Sequence, residues 1–332
     1  MKENNIKNIS IALATYNGES YISSQLESFV KQTCLPSELV ISDDGSQDHT
    51  IAIVRRFSRH APFIVKLIEA KSRLGYTKNF ERALSACQGD IILLSDQDDV
   101  WFPNKIETIV SQFEKNRDIK CIINNISITD EKLAPSGVTQ LDLIERLCGS
   151  DFQYVAGCGT AMLRDWREFV LPFPDCGIPY DSWINVLAKR LEVGYVYPVA
   201  MQYYRRHGNN TTCSQFAHPR ALRLFHPDFW RWLGGKAPHA FDRARSELQA
   251  YRDRIASADG RSFVDPGRLR RAIEKLDQEL ELVAMRRKIV GLPRRQRVHS
   301  IMTLLLRGDY HSASGISSAL KDLVGPRLKA AD

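Results

Sequence analysis

The sequence predicts an α/β protein, a mostly parallel sheet followed by a basic and mainly helical C-terminal extension. Three observations carry this. Short apolar runs alternate with amphipathic stretches through the first third of the chain, the order that builds a parallel sheet from strand–helix units. The run DIILLS has no polar alternation, as in a strand covered on both faces. From residue 203 onward there are 25 Lys and Arg against 13 Asp and Glu, whereas the first 202 residues hold 21 against 26. The two parts therefore sit in different electrostatic surroundings.

The elements follow in order. ISIALA is an apolar strand closed by the loop TYNG. SYISSQLESFVKQ sets Ile22, Leu26, Phe29 and Val30 on one helical face. SELVISDDGSQD gives a second strand that ends in Asp43, Asp44 and Gly45, and HTIAIVRRFSRH a second helix. FIVKLIE is a third strand, and the helix of NFERALSACQG ends at Gly89. After DIILLS, Pro103 suits a first helical turn, and Ile106, Ile109, Val110 and Phe113 form the next apolar stripe. CIINNISITD and VAGCGTAMLRD read as strands, DSWINVLAKRL as a short amphipathic helix, and VGYVYPVAMQYYRRHG as a strand running into a polar loop. In the C-terminal part Asp265 caps and Pro266 starts a helix carrying Leu269, Ile273, Leu276, Leu280 and Val283, which Gly291 and Pro293 break. MTLLLRGDY and GISSALKDLVG supply two more short helices.

Composition narrows the class. The chain of 332 residues is 43% hydrophobic and 26% charged, as in a folded globular protein. Its seven cysteines show no CxxC pair and no zinc-finger spacing, which favours isolated thiols in a reducing compartment. The N-terminus MKENNIKNIS has no apolar core of a signal peptide, and no stretch approaches the roughly 20 residues that span a bilayer. A cytoplasmic protein is expected, either free or peripheral on the cytoplasmic face of the inner membrane.

Acids at strand ends are the main chemical signal. In open parallel sheets ligands sit at the carboxyl ends of the strands. Here the second strand ends in Asp43 and Asp44, and the fourth in Asp96, Asp98 and Asp99. Crowded carboxylates raise one another's pKa, and a divalent cation with oxygen ligands relieves that repulsion. Mg²⁺ or Mn²⁺ completed by substrate phosphates suits such a site. The alternative is an acidic turn capping the helix that follows, worth only about 0.3–1 kcal/mol per acid.

SIALATYNGESYISSQLESFVKQT, SELVISDDGSQDHT and ILLSDQDDVWFPNKI, in that order, resemble the bacterial family 2 inverting glycosyltransferases of GT-A fold, a Rossmann-like nucleotide-diphospho-sugar transferase architecture. SRLGYTKNFERAL, GCGTAMLR, PYDSWINVLA and YYRRHGNN extend the likeness over about residues 8 to 212. LSDQDDVW is especially similar to enzymes that add rhamnose, glucose or galactose to bacterial surface polysaccharides such as O-antigen. The resemblance implies a catalytic domain over 1–212, with the donor site at about 8–105 and the acceptor side at about 120–212. Residues 213–332 form the basic helical region.

The roles that the resemblance implies are these. Thr15 and Tyr16 line the base and ribose pocket, and Asp43, with Asp44 beside it, accepts the ring N–H of uracil or thymine, which favours a UDP- or dTDP-sugar. Asp96 binds ribose or supports the metal, Asp98 ligates Mn²⁺ or Mg²⁺, and Asp99 is an additional acid beside it. Asp181 takes the proton of the acceptor hydroxyl, or else caps its helix. Trp183 stacks on a sugar ring, or else packs in the core. His207 contacts metal or phosphate, Arg205 and Arg206 pair with phosphate oxygens, and Lys71 and Arg73 approach the donor.

The acceptor implied is a polyprenyl-diphosphate-linked saccharide. The C-terminal arginines, interleaved with Leu and Ile, suit an anionic membrane surface, with Phe225, Phe229, Trp230 and Trp232 at its interface. Arginines that merely face solvent, or a homodimer interface, are the alternatives. No nucleic-acid partner is expected, because the basic part matches no zinc-finger, RRM or homeodomain pattern. A sugar nucleotidyltransferase is the rival enzyme class, but ATYNGES is a poor glycine-rich phosphate loop.

Overall fold

A computed structural model describes residues 8–148, 156–208, 210, 237–261, 263–310 and 316–324. The chain divides into two compact units, Met1–Ser214 and Gln215–Asp332.

The first unit is a three-layer α/β structure. Its opening strands are β1 (Ile9–Thr15), β2 (Glu38–Asp43), β3 (Ile64–Glu69) and β4 (Ile91–Ser95), with α1 (Ile22–Val30), α2 (Thr50–Ser58) and α3 (Tyr76–Ala86) between them. The short β5 (Val100–Trp101), α4 (Lys105–Lys115), β6 (Cys121–Thr129), β7 (Pro135–Thr139) and α5 (Gln140–Cys148) follow. A 3₁₀ turn (Gly157–Gly159) leads into β8 (Thr160–Leu163), α6 (Arg164–Val170), α7 (Tyr180–Arg190) and β9 (Gly194–Arg205).

The sheet order is β3-β2-β1-β4-β8-β6-β9-β5, with β7 on β6. β1 pairs in parallel with β2 and β4, and β2 with β3. β8 runs antiparallel to both β4 and β6, and β9 runs parallel to β6. It follows that β1, β2, β4, β6 and β9 all point the same way, and their carboxyl ends share one edge of the sheet. β2 and β4 are buried at every position, which accounts for their unbroken apolar runs, whereas β3, at the sheet edge, is half exposed. Ile22, Leu26 and Phe29 of α1 join Ile106, Ile109 and Phe113 of α4 in the core cluster with Ile11, Leu13, Leu39 and Leu93. The register Thr15↔Asp43 aligns the ends of the first two strands.

Some local expectations are corrected. The third helix stops at Ala86, because Cys87 is already extended and its N–H closes on Leu84. The fourth helix begins at Lys105 behind Asn104, two residues beyond Pro103. VAGCGTAMLRD is no single strand: it divides into the 3₁₀ turn, the short β8 and the start of α6.

The second unit is helical: α8 (Ala237–Ala256), α9 (Pro266–Gly291), α10 (Arg294–Leu306) and α11 (Ile316–Val324). Asp265 caps α9 by accepting the Arg268 N–H at 2.9 Å, with Pro266 in the first turn. Leu282, Ile289, Ile301, Leu304, Tyr310 and Ala319 form its core. Arg297 is fully buried and donates to the carbonyls of Val290, Leu292 and Asp322 at 2.6, 2.9 and 3.1 Å. Asp322 in turn accepts from Arg286 at 2.7 Å and from the Tyr310 hydroxyl at 2.8 Å. These bonds satisfy the buried charges and tie the end of α9 to α11. Among the described residues no helix is long and apolar enough to cross a membrane. Phe225, Phe229, Trp230 and Trp232, expected at a membrane interface, lie outside the described residues.

Candidate active site

The shared edge of the sheet gathers the acids. β1 ends at Thr15, β2 at Asp43, β4 just before Asp96, and β9 runs into Arg205, Arg206 and His207. Asp181 enters from the first turn of α7.

Asp43 is fully buried and its oxygens are occupied. It accepts from the Thr15 hydroxyl at 2.8 Å, the N–H groups of Gly45 and Ser46 at 3.0 and 2.8 Å, and the Ser46 hydroxyl at 2.6 Å. Four donors fill what a carboxylate can accept. In this state Asp43 therefore shapes the turn and has no lone pair left for a pyrimidine. Gly45 fits that turn because its φ of 85° is one that side chains rarely adopt. Asp44 accepts from the N–H groups of Leu74 and Gly75 at 2.6 and 2.9 Å, which pins the 71–75 loop. That loop carries Lys71, which is exposed, and Arg73, whose guanidinium lies 4.2 Å from the Tyr16 ring centre. Tyr16 is further fixed by Gln97, which accepts from its N–H at 2.9 Å and donates to its carbonyl at 3.0 Å. A Tyr16–Arg73 wall beside Asp44 is thus built from three distant segments.

Asp96, Asp98 and Asp99 have unlike surroundings. Asp99 is fully buried, accepts from Gln202 at 2.7 Å and from the Arg205 N–H at 3.3 Å, and has its pKa pushed well up by burial and then by Asp98 and Asp96. Asp96 is partly exposed; burial, then the charges of Asp98 and Asp181, raise it to about 7. That influence puts Asp181 within electrostatic reach of the motif. Asp98 lies 2.8 Å from His207 Nε2, and Asn210 Nδ2 approaches the same oxygen at 3.4 Å. His207 stacks on Tyr21 with ring centres 4.6 Å apart. Arg205 is buried rather than offered to phosphate. It donates to the carbonyls of Asp98 and Glu131 at 2.8 and 2.5 Å and to the Ser24 hydroxyl at 3.1 Å. Arg206 is half-buried, its N–H on the Thr129 carbonyl at 3.1 Å.

Behind the acids lies a buried layer that sequence reasoning missed. Ligand atoms of Asp96, Asp99 and Cys158 lie within 4.8 Å of one another. Burial, then Asp99 and Asp96, hold the Cys158 thiol well above its ordinary pKa. Lys105 is likewise buried and lowered to about 7 by desolvation, with its ammonium on Gln202 and 4.0 Å from the Trp101 ring centre. Gln97 and Lys105 lie inside ILLSDQDDVWFPNKI and Cys158 inside GCGTAMLR, segments already singled out, but no local signal assigns them to the site; Gln202 lies just before YYRRHGNN, outside any such segment.

The donor set fits a hard divalent cation in part. Asp96 and Asp98 offer oxygens and His207 an imidazole, ligand types suited to Mn²⁺ or Mg²⁺, but the group whose ligand atoms converge among the described residues is Asp96, Asp99 and Cys158. Asp99 is committed to Gln202 and Arg205, and a protonated thiol is a poor ligand for such ions. Burial raises Asp96 most, and the repulsion from Asp98 and Asp181 that adds to it is what a cation would relieve.

Trp183 corrects an expectation. It is 1% exposed, and its indole N–H donates to the Val170 carbonyl at 2.8 Å, so it is a core residue with no face for a sugar. Asp181 is not the cap of its helix. Pro179 holds that position, and Asp181 lies inside the first turn with an oxygen on the Ser182 N–H at 2.8 Å.

The comparisons with known proteins agree with this architecture. A UDP-Glc:alpha-D-GlcNAc-diphosphoundecaprenol beta-1,3-glucosyltransferase of Escherichia coli, WfgD, is 32% identical over 187 residues, covering 54% of this chain and 69% of the relative. The dTDP-rhamnosyl transferase RfbG of Shigella flexneri is 27% identical over 215 residues, 60% of this chain and 72% of that one. The solved structure of TarS 1–349 from S. aureus, in complex with UDP-GlcNAc, superposes with a TM-score of 0.58 at 18% identity, covering 96% of this chain and 90% of that one. At that identity the likeness is one of fold. The profile described as glycosyl transferase family 2 matches residues 10–168. With its GT-A-type sheet and its acids gathered at the carboxyl edge, the chain belongs to glycosyl transferase family 2 and is a nucleotide-sugar-dependent glycosyltransferase.

Proposed function

We propose that the enzyme transfers a hexosyl or deoxyhexosyl residue (glucose, galactose or rhamnose) from a UDP- or dTDP-sugar, with inversion, to a lipid-diphosphate-linked saccharide in bacterial surface-polysaccharide synthesis. The observation that carries this reading is the packing of Asp181 beside the acidic motif: a Cβ on Gly157 would lie 2.8 Å from that of Asp181, and the thiol of the next residue, Cys158, lies within 4.8 Å of ligand atoms of Asp96 and Asp99. A base for an acceptor and acids for a diphosphate then serve one site. The relatives named for UDP-glucose and dTDP-rhamnose transfer support the donor class, and the diphosphoundecaprenol acceptor of the first supports the lipid-linked one.

Tyr16, Arg73 and Asp44 frame the nucleoside, with Thr15 behind them and Lys71 and Arg206 reaching towards the diphosphate. The acceptor oxygen attacks the anomeric carbon as Asp181 takes its proton. The bond from that carbon to the diphosphate oxygen breaks, and its electron pair leaves with the nucleoside diphosphate. Attack opposite to the leaving group inverts the centre, and no covalent enzyme intermediate is needed. Asp96, Asp98 and His207 would hold Mn²⁺ or Mg²⁺, which supplies neutralisation of charge on the leaving diphosphate. His207 and Asn210 now hold Asp98 from the same side, so the metal-bound state requires them to share it. Catalysis belongs to residues 1–212, and the basic helical region serves the acceptor's membrane surface on the cytoplasmic face.

Nucleoside diphosphate release from a panel of UDP- and dTDP-sugars, with a synthetic lipid-diphosphate GlcNAc acceptor, tests this. Release with one donor that ends on adding EDTA and returns with Mn²⁺ is expected. A panel with no turnover and no metal-dependent nucleotide binding contradicts the reading.

A further inference from the structure

Helix α10 has two apolar faces. One, with Ile301 and Leu304, is buried in the core of the helical unit, together with Arg297. The opposite side carries Val298, Met302 and Leu306, spaced four apart and therefore aligned, at 49%, 50% and 84% exposure. Arg295 and His299, both exposed, lie on that same side, and Arg294 and Arg307 flank its two ends. Three large apolar side chains exposed in one row, with a charged border, mark an interaction surface more than a solvated helix face. Among the described residues of the helical unit nothing covers the second face.

The charge pattern names the occupant. Residues 282–308 contain seven Lys or Arg and no Asp or Glu. Arg286 pairs with Asp322, Arg287 lies 3.1 Å from Asp242, and Arg297 is buried. Lys288, Arg294, Arg295 and Arg307 remain exposed, the last 3.5 Å from Asp309. An apolar row bordered by arginines on one helix matches an anionic lipid surface, where the row enters the acyl boundary and the guanidiniums meet headgroup phosphates. Two-fold pairing of the same face with a second copy would set Arg295 and its flanking arginines against their own equivalents. A nucleic acid would use the arginines but give no reason to expose Leu306.

We propose that the Val298–Met302–Leu306 face of α10, with Arg295 and its neighbours, docks the enzyme in the plane of an anionic membrane. This rests on the reading that the acceptor is lipid-linked, and it adds a described helix to the interface expected at Phe225–Trp232, which lies outside the described residues.

The test is co-sedimentation of the full chain, without donor, with phosphatidylcholine vesicles and with vesicles containing about 30% phosphatidylglycerol. Wild type is expected to partition roughly tenfold more strongly onto the anionic vesicles, and less in high salt. The V298S/M302S/L306S variant should lose at least about tenfold of that binding, and R295Q about fivefold, with unchanged circular dichroism. Should the triple variant misfold, Leu306→Ser alone, at the most exposed position, is expected to lose several-fold. Equal binding to both vesicle types, or binding untouched by the apolar substitutions, overturns the proposal. So does a wild-type dimer that the triple variant dissociates while vesicle binding stays the same. Turnover with the lipid-diphosphate acceptor dispersed in detergent, without vesicles, reports on the acceptor reading separately, so failure of one is not mistaken for failure of the other.

Discussion

Gly157→Ala tests how tightly the site holds Asp181, the proposed base. Gly157 opens the 3₁₀ turn before β8, and its φ is not in the positive range, so alanine imposes no backbone strain there. The constraint is space. A Cβ on Gly157 would lie 2.8 Å from the Cβ of Asp181 and 2.7 Å from Cζ of Tyr180, and closer still to the Tyr180 hydroxyl. Carbon atoms in contact sit about 3.5–4.0 Å apart, so Asp181 or the turn must retreat by roughly 1 Å. Tyr180 cannot easily give way, because it stacks on Phe80 with ring centres 4.1 Å apart and is 5% exposed. Overpacking of this kind costs about 1–3 kcal/mol of stability, and misplacing a reacting group by about 1 Å costs on the order of 100-fold in rate. The assay is transfer kinetics beside nucleotide affinity. We expect kcat to fall by roughly 100-fold while nucleotide Kd changes less than about twofold. A variant with kcat within about threefold of wild type would refute the assignment of Asp181 as base or the rigidity claimed for its surroundings.

Trp183→Phe should lower stability by about 2 kcal/mol, through the lost bond to Val170 and the smaller ring, and leave the acceptor KM unchanged. A KM rise without a lower Tm would restore the sugar-stacking role. Glu38 is buried, which works against its charge, but bonds from Lys66 at 2.7 Å, Ser10 and the Gln88 N–H outweigh this and hold its pKa below the ordinary value of 4.5. A depressed carboxylate stabilises the fold above its unfolded pKa, and that contribution is lost as pH falls through the lower native value. Glu38→Gln should therefore cost about 2 kcal/mol at pH 7 in denaturant melts, with the gap to wild type closing in acid below pH 4.5. A gap that is flat with pH would contradict this.

The alternation of the first four strands with helices and the acids at their ends were legible because they are local, whereas the antiparallel β8 between β4 and β6 was not. β2 and β4 carry the apolar runs LVI and IILL, Asp43 closes β2, and Asp44, Asp96 and Asp98 follow the strand ends. The fate of Trp183 was in principle legible as well. Tyr180, Trp183, Ile184, Leu187 and Ala188 recur at helical spacing and are all buried, whereas Asp181 lies off that stripe. The chemical type of Trp183 suggests a sugar platform, but its period points inward and favours the alternative of core packing. What the sequence could not disclose is long-range partnership. Asp43 reads as a free acid until Thr15 and Ser46 are seen to fill it. Nor does anything near DQDD announce Cys158 or Gln202, more than 50 positions away in the chain. The second apolar face of α10 was hidden for a related reason: a row that is apolar on both sides gives no clean period, so burial has to be observed.

The most direct test of the central claim is nucleoside diphosphate release by wild type, Asp98→Asn and Asp181→Asn, with nucleotide affinity measured alongside in Mn²⁺. The account predicts that Asp181→Asn binds nucleotide normally yet loses about 1,000-fold or more in turnover, while Asp98→Asn loses both turnover and the metal dependence of binding. Turnover of Asp181→Asn within about tenfold of wild type, or metal-dependent binding intact in Asp98→Asn, would contradict it.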